Sequence, residues 1–191
     1  MRRRVPVALL TAVPVALGLG ACGNERTKPP DVTAIRPANV FVASAFPDAG
    51  IALERPSTWL VEKGAAPLVA TITSGRVTIA IWRYPRNEPL PETPEQLDAA
   101  KDVLVAAAQA RDTTLKVTQA KGTRAARSPA VVIVADETVA GQPRRVRSTH
   151  VYAHGGEIVV DAFAPPGDYA KVEDPVFRRI VRSLRLSVPT A

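Results

Sequence analysis

The apolar residues change period several times along this chain, and each change marks an element. Gly50-Ile51-Ala52-Leu53-Glu54-Arg55-Pro56 alternates apolar and other positions, then stops at Pro56 ahead of Ser57-Thr58-Trp59, which predicts a strand and a turn. Two further runs, Leu68 to Thr73 and Val77 to Tyr84, flank Ser74-Gly75-Arg76, a short glycine-containing connection that predicts an antiparallel hairpin. Pro89, Pro91 and Pro94 interrupt both kinds of period, so the stretch from Asn87 is a loop. Thr93 then has the chemistry of an N-cap, Pro94 suits the first helical position, and Glu95 and Gln96 suit the first turn. Leu97, Ala100, Val103, Leu104, Ala107 and Ala108 recur at helical spacing, predicting a helix to about Ala110 with one face buried.

Four more strand-like segments follow: Leu115 to Lys121, Ala130 to Thr138, Arg144 to Ala153 and Glu157 to Ala164. The connections Val139-Ala140-Gly141-Gln142-Pro143 and His154-Gly155-Gly156 are turn chemistry, so the last three strands form a meander. From Asp174 to Leu184, Phe177, Ile180, Val181 and Leu184 fall on one helical face with arginines opposite. The order is three strands, a helix, four strands and a helix, an antiparallel β-sheet with helices packed on it, which is the α+β class.

The N-terminal pattern is of another kind. Met1-Arg2-Arg3-Arg4 precedes the apolar run Val5 to Gly18, and Leu19-Gly20-Ala21-Cys22 closes it. A positive start, a short apolar run and small residues before a cut are the parts of a secretory signal. The run contains Pro6 and Pro14 and is at the lower end of the roughly 17 to 25 residues that a spanning helix needs. Leu19, Gly20 and Ala21 ahead of Cys22 resemble a lipobox, the recognition sequence of the lipoprotein signal peptidase. Residues 1–21 are therefore expected to be removed, and Cys22 to carry diacylglycerol on the extracytoplasmic face of the cell membrane. Cys22 is the single cysteine of the chain, so no thiol remains for a disulfide or a metal. Residues 22–47 contain four prolines and scattered charge without a sustained period, and are read as a lipidated tether, with Val40 to Phe46 able to fold back; residues 48–188 are the domain.

Composition refines this picture. The formal charge of +7 includes three arginines of the signal; without them 22 basic residues face 18 acidic ones, leaving +4. Such a balance suits an anionic membrane or envelope and does not point to nucleic acid. An apolar fraction of 46% is ample for one core, and the abundance of Ala, Val, Arg and Pro is that of a high-GC bacterium such as an actinobacterium.

Candidate chemistry is sparse. His150 and His154 lie four apart, but in a strand that separation is roughly 13 Å, too far for one metal ion. Ser148, His150 and Asp161 can be written as a hydrolase triplet, yet no Gly-x-Ser-x-Gly elbow is present and Ser148 is mid-strand. Asp136 and Glu137 point to opposite faces and cannot act as an acid/base pair. Arg144, Arg145 and Arg147, and Arg178, Arg179, Arg182 and Arg185, are the main charge clusters, and Arg178, Arg179 and Arg182 are candidates for contact with an anionic surface. Trp59 and Trp82 read as core aromatics. No catalytic residue, metal or cofactor is implied.

Gly50-Ile51-x-Leu53-x-x-Pro56-x-x-Trp59, together with Phe177-x-x-Ile180-x-x-Ser183-Leu184-Arg185, resembles the PsbP-like domain family, which includes photosystem II extrinsic proteins and actinobacterial lipoproteins of the LpqN type. Tyr152-x-x-x-Gly156 and the following Val159 to Pro165 resemble that family's last hairpin; Arg55 stands where the family often has an aromatic residue. The resemblance spans about Phe46 to Ser187. It implies an α-β-α sandwich with a non-enzymatic binding or accessory role, whose partner would be an envelope protein or lipid. A carrier of a hydrophobic ligand and a hydrolase are the alternatives.

Overall fold

The computed structural model describes residues 31–190. The signal, the lipobox residues Leu19, Gly20 and Ala21, and Cys22 lie outside the described residues.

Ten strands and three α-helices follow in chain order: β1 (Phe41–Phe46), β2 (Ile51–Pro56), β3 (Leu60–Lys63), β4 (Leu68–Ser74), β5 (Val77–Pro85), α1 (Pro94–Arg111), β6 (Lys116–Ala125), β7 (Ser128–Val139), β8 (Gln142–Ala153), β9 (Gly156–Ala164), α2 (Pro166–Val172), α3 (Arg179–Ser183) and β10 (Arg185–Leu186). Seven strands form the main antiparallel sheet in the order β3-β4-β5-β9-β8-β7-β6, and β1-β2-β10 form a small second sheet. The α+β reading and the three-strand meander hold.

Three hairpins of the main sheet close on two residues, Ala126-Arg127, Ala140-Gly141 and His154-Gly155, with positive φ at both positions of each. That mirror-image turn matches the right-handed twist of the strands it joins. Register then decides which side chains meet. Ser148 stands opposite Asp161, His150 opposite Val159 and Tyr152 opposite Glu157, while Tyr84 pairs with Glu157 on the other side of β9.

Alternation gives the main sheet two unlike faces. One presents Ile79, Ile81, Val132, Val151, Ile158, Val160 and Ala162 to Phe177, Ile180 and Leu184 of the C-terminal helices and to Ile51 and Leu53 of the small sheet, all in one buried cluster. The opposite face carries α1, whose Leu97, Ala100, Leu104 and Val105 pack against Val131, Ile133 and Tyr152. Layers of helix, sheet and helix result.

Several boundaries differ from the sequence reading. The tether cannot extend to residue 47, because β1 pairs along all of β2, from Phe41 with Pro56 to Phe46 with Ile51. The preceding residues are also fastened: the Arg36 amide donates to Ser74 Oγ at 2.7 Å, and Trp59 Nε1 donates to the Arg36 carbonyl at 3.1 Å. β3 and β10 were missed because four-residue and two-residue strands are too short to show a period. The last helix begins at Pro166 and not at Asp174; a wider π turn over Glu173–Arg178 accommodates Pro175, which has no N–H to donate.

Helix α1 starts as predicted, with a capping box in which Thr93 Oγ1 accepts from the Gln96 amide while Gln96 Oε1 accepts from the Thr93 amide. Its burial was overestimated. No α1 residue is fully buried, and Val103 is 68% exposed. Gly122 lets the helix approach β6, since a Cβ there would stand 3.1 Å from Leu97 Cδ2. The helix contacts mainly β6 and β7, and part of that face beyond it stays open.

Phe177→Ala should lower stability by about 3–5 kcal/mol, against about 1 kcal/mol for Thr93→Ala; urea unfolding of both variants checks the ranking.

Candidate functional site

The uncovered part of the α1-side face forms a cleft of about 630 Å³. Leu104, Ala107, Ala108 and Arg111 of α1 form its roof, and its floor comes from β5, β7, β8 and β9. Small alanines on the helix leave this space open. Ile133, Ala135, Val146, Val159 and Phe163 give it apolar walls, and its lining also carries Arg86, Ser148, His150, Glu157 and Asp161.

Those five are linked. Ser148 Oγ lies 2.5 Å from Asp161 Oδ1 and 2.9 Å from His150 Nε2. His150 Nδ1 lies 2.6 Å from Glu157 Oε1, and the Arg86 guanidinium donates to the other Glu157 oxygen. Glu157 is 2% exposed, so its charge is stabilised by these partners and hardly at all by water. Burial pushes its carboxyl up, but the hydrogen bonds from His150 and Arg86 outweigh that and hold it below the usual value. Asp161 goes the other way: burial raises its pKa, only partly offset by the Ser148 hydroxyl.

With Glu157 ionised, proton counting leaves the chain two arrangements. If Asp161 is ionised, Ser148 donates to it and must accept from Nε2–H, which makes His150 an imidazolium with Nδ1–H on Glu157. If Asp161 is protonated, it donates to Ser148, which donates to a neutral His150. The two differ by a proton shifted along Asp161, Ser148 and His150, with no change in total charge. The arrangement can therefore move a proton over a short path without changing the net charge of the cleft.

The serine, histidine and aspartate that the sequence offered only as a triplet on paper do meet, because Ser148 and Asp161 face each other across β8 and β9. Glu157 and Arg86 were missed; the signal was the register, which sequence alone did not supply. The order Ser148, His150, Glu157 follows a hydrolase triad. Ser148, however, sits in a central strand paired with both Ile133 and Asp161, so its backbone lies within the ladder and not on an exposed turn. A transition-state oxyanion needs free N–H donors beside the nucleophile, and this backbone provides none.

Other candidates fall elsewhere. His154 is in the β8–β9 turn with φ of 49°, and its carbonyl accepts from Arg83 Nη2 at 2.8 Å. Among the described residues no group of three or more His, Cys, Asp or Glu is placed to hold a metal ion. Asp136 and Glu137 do point apart: Asp136 makes a bidentate pair with Arg145 at 2.7 and 2.8 Å, and Glu137 lines the cleft, where burial raises its pKa. Arg147 reaches Glu173 at 3.3 Å, and Arg144 donates to the Arg76 carbonyl.

Arg178, Arg179 and Arg182 are all exposed. Arg178 is paired with Glu173 at 3.1 Å, and Arg179 lies 3.6 Å from Glu54 and 3.7 Å from the Phe41 ring centroid. Much of the charge intended for an anionic surface is thus answered within the domain.

The tryptophans separate. Trp59 is core, 2% exposed, as expected. Trp82 is a correction: it lies half-buried on the α1-side face and stacks on the exposed Tyr84, ring centroids 6.3 Å apart and planes 14° from parallel. The period-2 alternation of β5 puts both rings on the face that α1 leaves open.

A second groove of about 670 Å³ is lined mainly by Phe46, Ala49, Pro67, Leu68, Val69 and Pro85, with Arg83 at its side. Burial lowers the Arg83 pKa, and its guanidinium donates to the carbonyls of Ala49 and His154. Among the described residues no helix is long and apolar enough to cross a membrane.

Two helical layers about an antiparallel sheet, closed by a proline-led C-terminal helix, define the PsbP-like fold. The cyanobacterial PsbP protein (CyanoP) of Synechocystis sp. PCC 6803 superposes with a TM-score of 0.59 at 13% identity, over 88% of this chain and 99% of its own. LpqN of Mycobacterium tuberculosis, described as involved in cell envelope biogenesis, superposes with a TM-score of 0.53 at 11% identity, over 78% of this chain and 91% of its own. No protein-family model and no curated protein matches the sequence. At these identities the likeness is one of fold.

The opposite shifts of Glu157 and Asp161 carry opposite signs for stability. A depressed carboxyl stabilises the fold above its unfolded value and loses that contribution as pH falls through its folded value. A raised one costs stability as pH climbs from 3.8 through its folded value. Glu157→Gln should therefore cost about 1–3 kcal/mol at neutral pH. Asp161→Asn should cost little, and its melting temperature relative to wild type should rise as pH climbs above 3.8; calorimetry as a function of pH checks both.

Proposed function

We propose that this protein is a membrane-anchored envelope lipoprotein whose domain is a non-enzymatic binding module, with a small molecule seated in the cleft beneath α1. The observation that carries the reading is the cleft itself: apolar walls, a helix roof that leaves space, and convergent polar groups on one side fit a ligand site. The triad-like order of Ser148, His150 and Glu157 is put to binding and not to acyl transfer, because Ser148 lies within a paired ladder. The signal and the lipobox around Cys22 supply the location, and the fold shared with LpqN agrees with an envelope setting.

The groove beside Arg83 supports a second reading, a carrier of a hydrophobic or amphipathic ligand. It differs from the first in where the ligand sits.

Cys22→Ala should move the protein from the membrane fraction to the soluble one; continued tight membrane association would remove the anchor from the account. The soluble mature Cys22→Ala protein can then be titrated with small-molecule fractions of an envelope extract while the amide signals of Ala107, Ala108 and Ala135 are followed by NMR. At least one fraction should shift them, and Ala108→Trp, which fills the cleft, should abolish the shift. Signals that never move would reject the binding module, and movement confined to Leu68 and Val69 would favour the carrier.

A further inference from the structure

The outer strand of a sheet offers unpaired backbone groups to any other strand, and the outer strands here are guarded unequally. β3, at one edge of the main sheet, is four residues long and carries Glu62 and Lys63. β6, at the other, carries Lys116, Lys121 and Arg124 and a register shift between Val117 and Gln119. Shortness, exposed charge and a bulge each discourage a foreign strand from pairing. β1 of the small sheet has none of these. No residue from Ala38 to Pro47 is charged, and β1 itself contains no proline and pairs along β2 without a register shift. Among the described residues β2 is its one strand neighbour.

One hydrogen bond shows which backbone groups this edge presents. The Ser57 amide donates to the Val40 carbonyl at 2.9 Å, so Val40 turns its backbone toward β2, and by alternation so do Val42, Ser44 and Phe46. Pro56, which has no N–H, stands opposite Phe41, where the ladder needs none. Phe41, Ala43 and Ala45 therefore turn their N–H and C=O groups away from β2, and among the described residues no backbone group meets them. Ala43 and Ala45 are exposed, and Val40 and Val42 are 63% and 36% exposed. Nearby charges are already answered within the domain. Arg55 donates to Ser44 Oγ and to the carbonyls of Pro56 and Trp59, and Arg179, above the Phe41 ring, lies 3.6 Å from Glu54.

We infer that β1 pairs antiparallel with β1 of a second copy of this chain, about a two-fold axis through Ala43. That register engages every outward residue of the strand, Phe41 with Ala45 of the other copy and Ala43 with its own counterpart, for about six N–H···O=C bonds. Val40 then faces Phe46 and Val42 faces Ser44, so no charge enters the ladder. The same patch serves both copies, as a two-fold interface requires. A charged partner strand would find no counter-charge on β1, whereas an uncharged strand of matching alternation is present in every second copy. One strand pair buries less than the roughly 1,200 Å² of a stable interface. Association therefore depends on the Cys22 anchor to hold copies in one membrane plane at high effective concentration, and in that respect rests on the lipoprotein reading.

The test is disulfide crosslinking of the full-length protein in membranes, where lipidation consumes the Cys22 thiol and wild type supplies the background. Ala43→Cys places two thiols across the axis, with Cα atoms about 5.5 Å apart and within disulfide reach. Ala45→Cys is exposed on the same strand but falls opposite Phe41, which leaves its two copies roughly 14 Å apart. Mild oxidation should give about tenfold more disulfide dimer with Ala43→Cys than with Ala45→Cys. Ala45→Pro, added to Ala43→Cys, removes an outward donor that the fold itself does not use. It should abolish the dimer while the melting temperature stays near that of Ala43→Cys alone. Equal crosslinking at the two positions, none at either, or a dimer that survives Ala45→Pro overturns the pairing. Fractionation of the same samples reports on the anchor separately: an Ala43→Cys dimer found in the soluble fraction would remove the anchor and leave the pairing standing.

Discussion

A seven-stranded sheet has two faces to cover, and the two coverings here are unequal. On one face the C-terminal helices and the small sheet seal a continuous core around Phe177, Ile180 and Leu184. On the other, α1 is the main cover, and it is seated over β6 and β7 with Ala107 and Ala108 where larger side chains would close the gap. Everything distinctive about the molecule follows from that mismatch. The open half of the face holds the cleft, the polar chain and the stacked aromatics.

The unequal covering also explains how a network of ionisable groups survives inside a small domain. Glu157 is buried but tied to His150 and Arg86, and Asp161 is tied to Ser148, so each charge has a partner and the set is neutral. Buried polar groups left without partners cost far more than paired ones contribute, so such a chain is tolerated only if complete. Register supplies that completeness, because Ser148 meets Asp161 directly across β8 and β9, and His150 reaches Glu157 from the same face. A shift of one residue in either strand would send these side chains to the apolar face.

This division also marks how far the sequence could be read. The α+β order, the α1 cap at Thr93 and the Phe177 face of the last helix were legible because each is local, a matter of period or of a capping residue. β1 was only partly visible, since Phe41 to Phe46 gains its order by pairing with β2 and has only half-buried or exposed positions of its own. The site was least legible. Ser148, His150 and Asp161 were noted as residue types, but Glu157 and Arg86 enter only through pairing across three strands, and Trp82 looked like core until α1 proved too small to cover it. Covering is a property of the whole layer, and no window of sequence contains it.

The central claim, that a complete hydrogen-bonded chain lines an open cleft, is tested most directly at the His150 imidazole. Nitrogen-15 NMR of the ring should find both Nδ1 and Nε2 in fixed hydrogen bonds, with a slowly exchanging, strongly downfield Nδ1 proton that disappears in Glu157→Gln. A His150 ring with solvent-averaged nitrogens and a fast-exchanging proton, unchanged by Glu157→Gln, would contradict it.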